Sequence, residues 1–250
     1  MPFFERAGLK LHYFEEGDGP PVLLIHGWGG RAIRQWHNVI SELHDSYHFY
    51  GLSLRGHGKS EEVPEPEYSW IDLAEDCEEL RQVVGVERWM VVGYSLGAIV
   101  GLHYASLYPE HTVAACAVSP MIVGRWRAFA MRRLRWPIAW TLKLARRLPP
   151  ALSTKMVHNV AKTRLRTLFH TVELMRKWEP KRTGIPASVP VIVILGESDR
   201  GSHGERAIGA APKTDARMLE NTGHFPLWKH RERFVPVFRD VLHTYARGPA

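Results

Sequence analysis

The 250-residue chain is poor in cysteine, has no long apolar run and, over one stretch, is almost without acid. Its two cysteines, Cys77 and Cys116, are too few for a disulfide framework in a chain of this size and point to a reducing compartment. No segment approaches the roughly 20 apolar residues that a bilayer-spanning helix needs. The start, Met1-Pro2-Phe3-Phe4-Glu5-Arg6, lacks a basic segment followed by an apolar one, so no secretory signal is expected and the cytoplasm is the expected location. Cys/His clusters at metal-ligand spacing are missing, as are the glycine patterns of Walker and Rossmann loops, so no metal and no cofactor is expected. With 45% apolar and 24% charged residues, the composition is that of an ordinary globular protein. The length suits one domain, or one domain with an insertion.

The shortage of acid is local. Residues 121–183 hold 16 Lys and Arg against 2 Asp and Glu, a net +14. The remainder holds 17 against 24, a net −7, so the overall +7 comes from one segment. That segment is rich in helix formers and tryptophan. Pro137 should kink or divide its first helix, and Pro149-Pro150 should separate that from the next.

What is present elsewhere is an alternation of strands and helices, the pattern of a mostly parallel sheet covered on both faces. Strands are expected at 2–6, 9–15 and 22–25. The last is continuously apolar, as befits burial on both faces, and ends in His26-Gly27-Trp28-Gly29-Gly30. A glycine-rich loop at the carboxyl end of a central strand is where an open α/β sheet meets its ligands. A helix near 35–43 and a strand near 47–54 follow, then Arg55-Gly56-His57-Gly58. The run 69–84 is amphipathic, with Ile71, Leu73, Ala74, Cys77, Leu80 and Val84 assigned to one side. Ser69 and Asp72 form a capping-box pair, and Gly85 is a C-terminal stop.

The centre of the chain is Val91-Val92-Gly93-Tyr94-Ser95-Leu96-Gly97-Ala98. An apolar strand enters Gly-Tyr-Ser-Leu-Gly, and a helix over 96–108 leaves it. This is the G-x-S-x-G nucleophile elbow in the strand-turn-helix setting that the motif requires. Strained dihedrals are expected at Ser95, with glycines two residues either side admitting close backbone and the hydroxyl exposed. Strands near 112–119 and 189–195 follow. The second runs into Gly196-Glu197-Ser198-Asp199. A short helix near 205–210, a strand near 216–219, the turn Gly223-His224-Phe225-Pro226 and a helix over 231–245 complete the pattern.

On the four motifs His26-Gly27-Trp28-Gly29, Gly93-Tyr94-Ser95-Leu96-Gly97, Gly196-Glu197-Ser198-Asp199 and Gly223-His224-Phe225-Pro226, taken in that order, the chain resembles the α/β-hydrolase fold family of serine hydrolases over essentially its full length. The resemblance implies an α/β fold with a core of residues 1–120 and 185–250 and an inserted basic helical cap of 121–184. It implies Ser95 as nucleophile, His224 as general base and then acid, and Asp199 as the group that orients the imidazole. The amides of Trp28 and Leu96 would form the oxyanion hole. His26 and His57 are read as loop-stabilising. In this family an aspartate usually stands two positions before the arginine of Arg55-Gly56-His57-Gly58; here that position is Ser53.

The expected activity is cleavage of a carboxylic ester or thioester of an acyl chain. The motifs are also similar to those of esterases acting on carrier-linked pimeloyl methyl ester. Two partners suit the cap, through Arg125, Arg127, Arg132, Arg133, Arg135 and Trp136. One is an acidic carrier protein presenting the acyl group. The other is an anionic membrane surface supplying lipid esters. Nucleic acid is not expected. Non-hydrolytic members of the fold, acting as acyltransferases, lyases or ligand receptors, stay open because fold does not fix function.

Overall fold

The structure is a computed structural model, and it describes residues 2–63, 69–123, 133–134, 137, 140, 163, 165–179, 184–199 and 204–248. Among them an eight-stranded sheet runs in the order β1-β2-β4-β3-β5-β6-β7-β8. The strands are β1 (Phe3–Arg6), β2 (Leu9–Glu16), β3 (Pro21–Ile25), β4 (His48–Leu52), β5 (Trp89–Tyr94), β6 (Thr112–Val118), β7 (Val191–Gly196) and β8 (Thr214–Leu219). β1 pairs antiparallel with β2 and β2 with β4; every other neighbouring pair is parallel. The helices are α1 (Ala32–Leu43), α2 (Trp70–Val83), α3 (Leu96–Leu107), α4 (Leu165–Lys177), the single turn α5 (Pro226–Lys229) and α6 (Arg231–Tyr245).

The pleat sorts the apolar strands into two cores. Leu23, Ile25, Val91, Val191 and Val193 pack with residues of α2, α3 and α4 on one face. Val22, Leu24, Met90, Val92, Ile192 and Ile194 pack with residues of α1 and α6 on the other. Each fully buried aliphatic side chain contributes about 1.5–3 kcal/mol, so both helical layers are needed to cover these strands. The sheet is mostly parallel because the segments between β3 and β8 cross over through helices or long connections rather than hairpins.

Element boundaries differ from the sequence pattern where local bonds intervene. β7 starts at Val191 rather than residue 189 because the Val189 N–H closes a turn on the Pro186 carbonyl and Pro190 has no N–H to give. β4 stops at Leu52 because the Leu54 N–H turns to His26 Nε2, 3.0 Å away. The α2 capping box forms as expected, with the Ser69 side chain and Asp72 each accepting the other's backbone N–H.

One side-chain assignment on α2 is wrong. Ile71 is 54% exposed while Leu73, Ala74, Cys77 and Leu80 are fully buried. At 100° per residue, a position two before Leu73 falls on the opposite side of the helix. Asp76 takes a place in the buried face instead. It pairs with Arg55, whose Nε and Nη2 lie 2.7 and 2.6 Å from its two carboxylate oxygens, and with Arg6 at 3.0 Å.

Candidate active site

The carboxyl ends of β3, β5 and β7 and the loop after β8 converge. At the end of β5 the chain turns directly into α3 through Ser95, whose φ of 55° and ψ of −110° place a non-glycine residue in a sparsely populated region, at a cost of about 1–3 kcal/mol. A Cβ on Gly93 would lie 2.0 Å from the Gly97 carbonyl oxygen, and one on Gly97 would lie 2.5 Å from that of Ile25. The two glycines are therefore required by close approach of backbone. The Ser95 N–H bonds to the Val118 carbonyl at 2.9 Å and fixes the turn to β6. Ser95 is not exposed as the motif suggested: it is only 3% accessible. The β3 loop lies on it, since a Cβ on Gly27 would come 3.1 Å from the Ser95 Cβ, and His224 Nε2 lies 3.1 Å from its Oγ.

The turn after β7 and the loop after β8 are bound to each other. Ser198 N–H donates to the Thr222 carbonyl at 2.9 Å and Asn221 N–H to Glu197 Oε2 at 2.9 Å. Gly196 permits this, since a Cβ there would meet the Thr222 and Gly223 carbonyl oxygens at 2.4 and 2.5 Å. The result sets His224 between two partners. Its Nδ1 is 2.8 Å from Asp199 Oδ2, and its Nε2 is 3.1 Å from Ser95 Oγ. With Nδ1 carrying the proton toward the carboxylate, Nε2 presents a lone pair to the serine hydroxyl. The Asp199 side chain is 5% exposed and that of His224 13%.

The β3 loop is pinned at several points. Gly27 N–H donates to Gln35 Oε1 at 2.6 Å. His26 Nδ1–H donates to the Gly27 carbonyl at 2.8 Å, while its Nε2 accepts the Leu54 N–H. Burial, and then the neighbouring His57, pushes His26 down to about 3. Burial pushes His57 down to about 4. Both rings are thus uncharged fixtures of the loops, the role expected of them. The Trp28 Nε1–H reaches the Leu168 carbonyl of α4 at 3.0 Å, so α4 touches this loop directly. The Trp28 amide makes no backbone hydrogen bond among the described residues. The Leu96 amide opens α3, where no preceding turn exists to accept it.

Of the cap residues singled out, Arg133 is exposed, as are Leu134 and Trp140. Arg125, Arg127, Arg132, Arg135 and Trp136 lie outside the described residues, as do Pro149 and Pro150. Ser53 is buried with its Oγ 3.2 Å from His12 Nδ1, and Arg55 takes its carboxylate from Asp76 instead. Sequence reasoning missed Gln35 and Tyr94. The signal for Gln35 was a polar residue on the apolar face of α1. Tyr94 OH donates to the His224 carbonyl at 2.8 Å, a contact between residues 130 apart that no local pattern reveals.

The family model described as alpha/beta hydrolase fold matches residues 20–169. The chain belongs to the α/β-hydrolase fold family. An uncharacterized protein of Mycobacterium tuberculosis is 26% identical over 274 residues, spanning 95% of this chain and 79% of that one. The pimeloyl-[acyl-carrier protein] methyl ester esterase of Aeromonas hydrophila is 33% identical over 122 residues, 47% of this chain and 46% of its own. Among solved structures, the enol-lactonase from Burkholderia xenovorans superposes with a TM-score of 0.83 at 18% identity, over 97% of this chain and 100% of that one. The esterase from Exiguobacterium antarcticum gives 0.80 at 18% identity, over 96% and 98%.

Proposed function

We propose that the protein is a serine hydrolase that cleaves carboxylic esters or thioesters of acyl chains through an acyl-enzyme. The carrying observation is His224, 3.1 Å from Ser95 Oγ and 2.8 Å from Asp199 Oδ2. In this reading His224 Nε2 takes the Ser95 proton as Oγ attacks the acyl carbon, because a serine hydroxyl is a poor nucleophile without a base. Asp199 holds the Nδ1–H tautomer and stabilises the imidazolium that forms. The Trp28 and Leu96 amides accommodate the oxyanion, each such donor being worth roughly 2.7–4 kcal/mol in the transition state. His224 then protonates the leaving alcohol or thiol. Water repeats the sequence on the acyl-enzyme, releasing the acid and restoring Ser95.

Acyl esters are the substrate class supported by the methyl ester esterase among the named relatives. The partial likeness to a carrier-protein esterase, together with the net +14 of residues 121–183, favours an acyl group delivered on an acidic carrier protein. An anionic membrane is the competing source. The test compares one medium-chain acyl group as a small soluble ester and on an acidic carrier, with Ser95→Ala as the blank. A carrier preference that salt abolishes supports delivery by the carrier. Equal turnover of the small ester rejects it and leaves the general esterase. Labelling of Ser95 by a fluorophosphonate, absent in Ser95→Ala, tests the nucleophile itself.

A further inference from the structure

We infer that Tyr94, the residue directly before Ser95 in the elbow motif, positions His224 against Ser95 by holding the backbone of the histidine loop. The inference rests on the serine-hydrolase reading above. Tyr94 ends β5, and the pleat sends its side chain to the same layer as Met90 and Val92, opposite α2 and α3. There it meets three separate pieces of the site. Its hydroxyl donates to the His224 carbonyl at 2.8 Å. Its ring centroid lies 5.6 Å from that of His224 and stands edge-on to Trp228 at 5.4 Å and 84°. On the other side, a Cβ on Gly27 would come 2.8 Å from its Cδ1, so the β3 loop rests on the ring.

Tyr94 is 2% exposed, and burial followed by the charge of Asp199 pushes its hydroxyl well above the ordinary tyrosine range. It therefore remains a donor at any working pH. Among the described residues the histidine loop otherwise bonds to the acid turn through Thr222 and Asn221. Those bonds precede His224 in sequence, and beyond it the Phe225 carbonyl accepts the Lys229 N–H of α5; neither set reaches the His224 carbonyl itself. The Tyr94 hydroxyl closes that gap at the residue whose ring must stay within reach of Ser95 Oγ through two proton transfers. A displacement of about 1 Å at such a point can cost on the order of 100-fold in rate. A tyrosine present only to fill space would need its ring and not its hydroxyl.

Tyr94→Phe separates the two roles, because it keeps the ring that supports Gly27 and Trp228. Three measurements are made on wild type and variant: kcat and KM on a soluble short-chain ester, the downfield proton signal of the His224 Nδ1–H by NMR, and Tm. The expected result is a fall in kcat of roughly 10- to 100-fold with KM unchanged, and a downfield signal broadened by faster exchange in a folded protein. Unchanged kcat with an unchanged signal overturns the inference. A raised KM with unchanged kcat also overturns it, since that marks loss of uniform binding. If the wild type neither turns over esters nor labels at Ser95, the hydrolase reading fails. The NMR signal then decides alone, its persistence in Tyr94→Phe counting against a positioning role and its loss for one.

Discussion

Two buried clusters in this molecule use the same three kinds of group. At the carboxyl edge of the sheet stand Ser95, His224 and Asp199. Where α2 meets α3 stand Glu78 of α2, Tyr104 of α3 and His111 of the turn that follows α3. In the second cluster the carboxylate is the hub. Glu78 accepts from Tyr104 OH at 2.9 Å, lies 3.3 Å from His111 Nδ1, and is gripped by Arg81 at 2.6 Å and Gln82 at 3.2 Å. Burial alone would raise the Glu78 pKa, but hydrogen bonds from Arg81, Gln82 and Tyr104 outweigh it and hold the carboxyl at about 2. In the first cluster the imidazole is the hub, and the hydroxyl sits on a strained turn. A carboxylate hub with an arginine saturates every donor and fixes structure. An imidazole hub keeps one nitrogen free to accept a proton, which is what chemistry requires.

The largest expected effect tests the first cluster. Ser95→Ala should lower kcat on esters by roughly a millionfold and abolish phosphonate labelling while leaving Tm nearly unchanged. A variant that keeps turnover would remove the chemical half of the comparison. Asp199→Asn comes next, with kcat expected to fall about 10⁴-fold through the wrong imidazole tautomer, read by steady-state kinetics. The second cluster should behave in the opposite way. Glu78→Gln removes the carboxylate charge that Arg81 faces and should cost about 3 kcal/mol of stability in urea unfolding, with kcat of the folded enzyme unaltered. A large loss of kcat at full occupancy of the folded state would show that the clusters are coupled.

The smallest effect concerns pH. Burial holds His26 at about 3, His57 at about 4 and His103, which lies on α3, at about 4, all below the ordinary 6.5. The unfolded chain therefore binds protons that the fold excludes. Their contribution is complete above pH 6.5 and is lost as pH falls toward 4, and on toward 3 for His26. Each adds a slope of up to about 1.4 kcal/mol per pH unit. Urea midpoints measured from pH 7.5 to 4.5 should decline accordingly. A flat profile would mean that these rings are charged in the fold.

The strand-to-helix turn at Ser95, the capping box at Ser69 and the apolar strands were legible in the sequence because each is decided within a few residues, by sterics, by one reciprocal hydrogen bond or by pleat and burial. The types and order of Ser95, Asp199 and His224 were legible for the same reason, each following a strand or its turn. Their convergence was not, because residues 95, 199 and 224 meet only once β5, β6, β7 and β8 lie side by side and Gly196 lets the histidine loop cross the end of β7. The exposure of Ile71 was legible too and was misjudged, because two residues of helix put it about 200° from the buried Leu73. Sequence by itself determined the layered α/β fold and the residues that carry chemical groups. Tertiary structure alone decided that Ser95 lies beneath the Gly27 loop, that Arg55 pairs with Asp76, and that Tyr94 reaches the His224 carbonyl. Those contacts join residues 21 to 130 apart, and spacing along a chain carries no information about them.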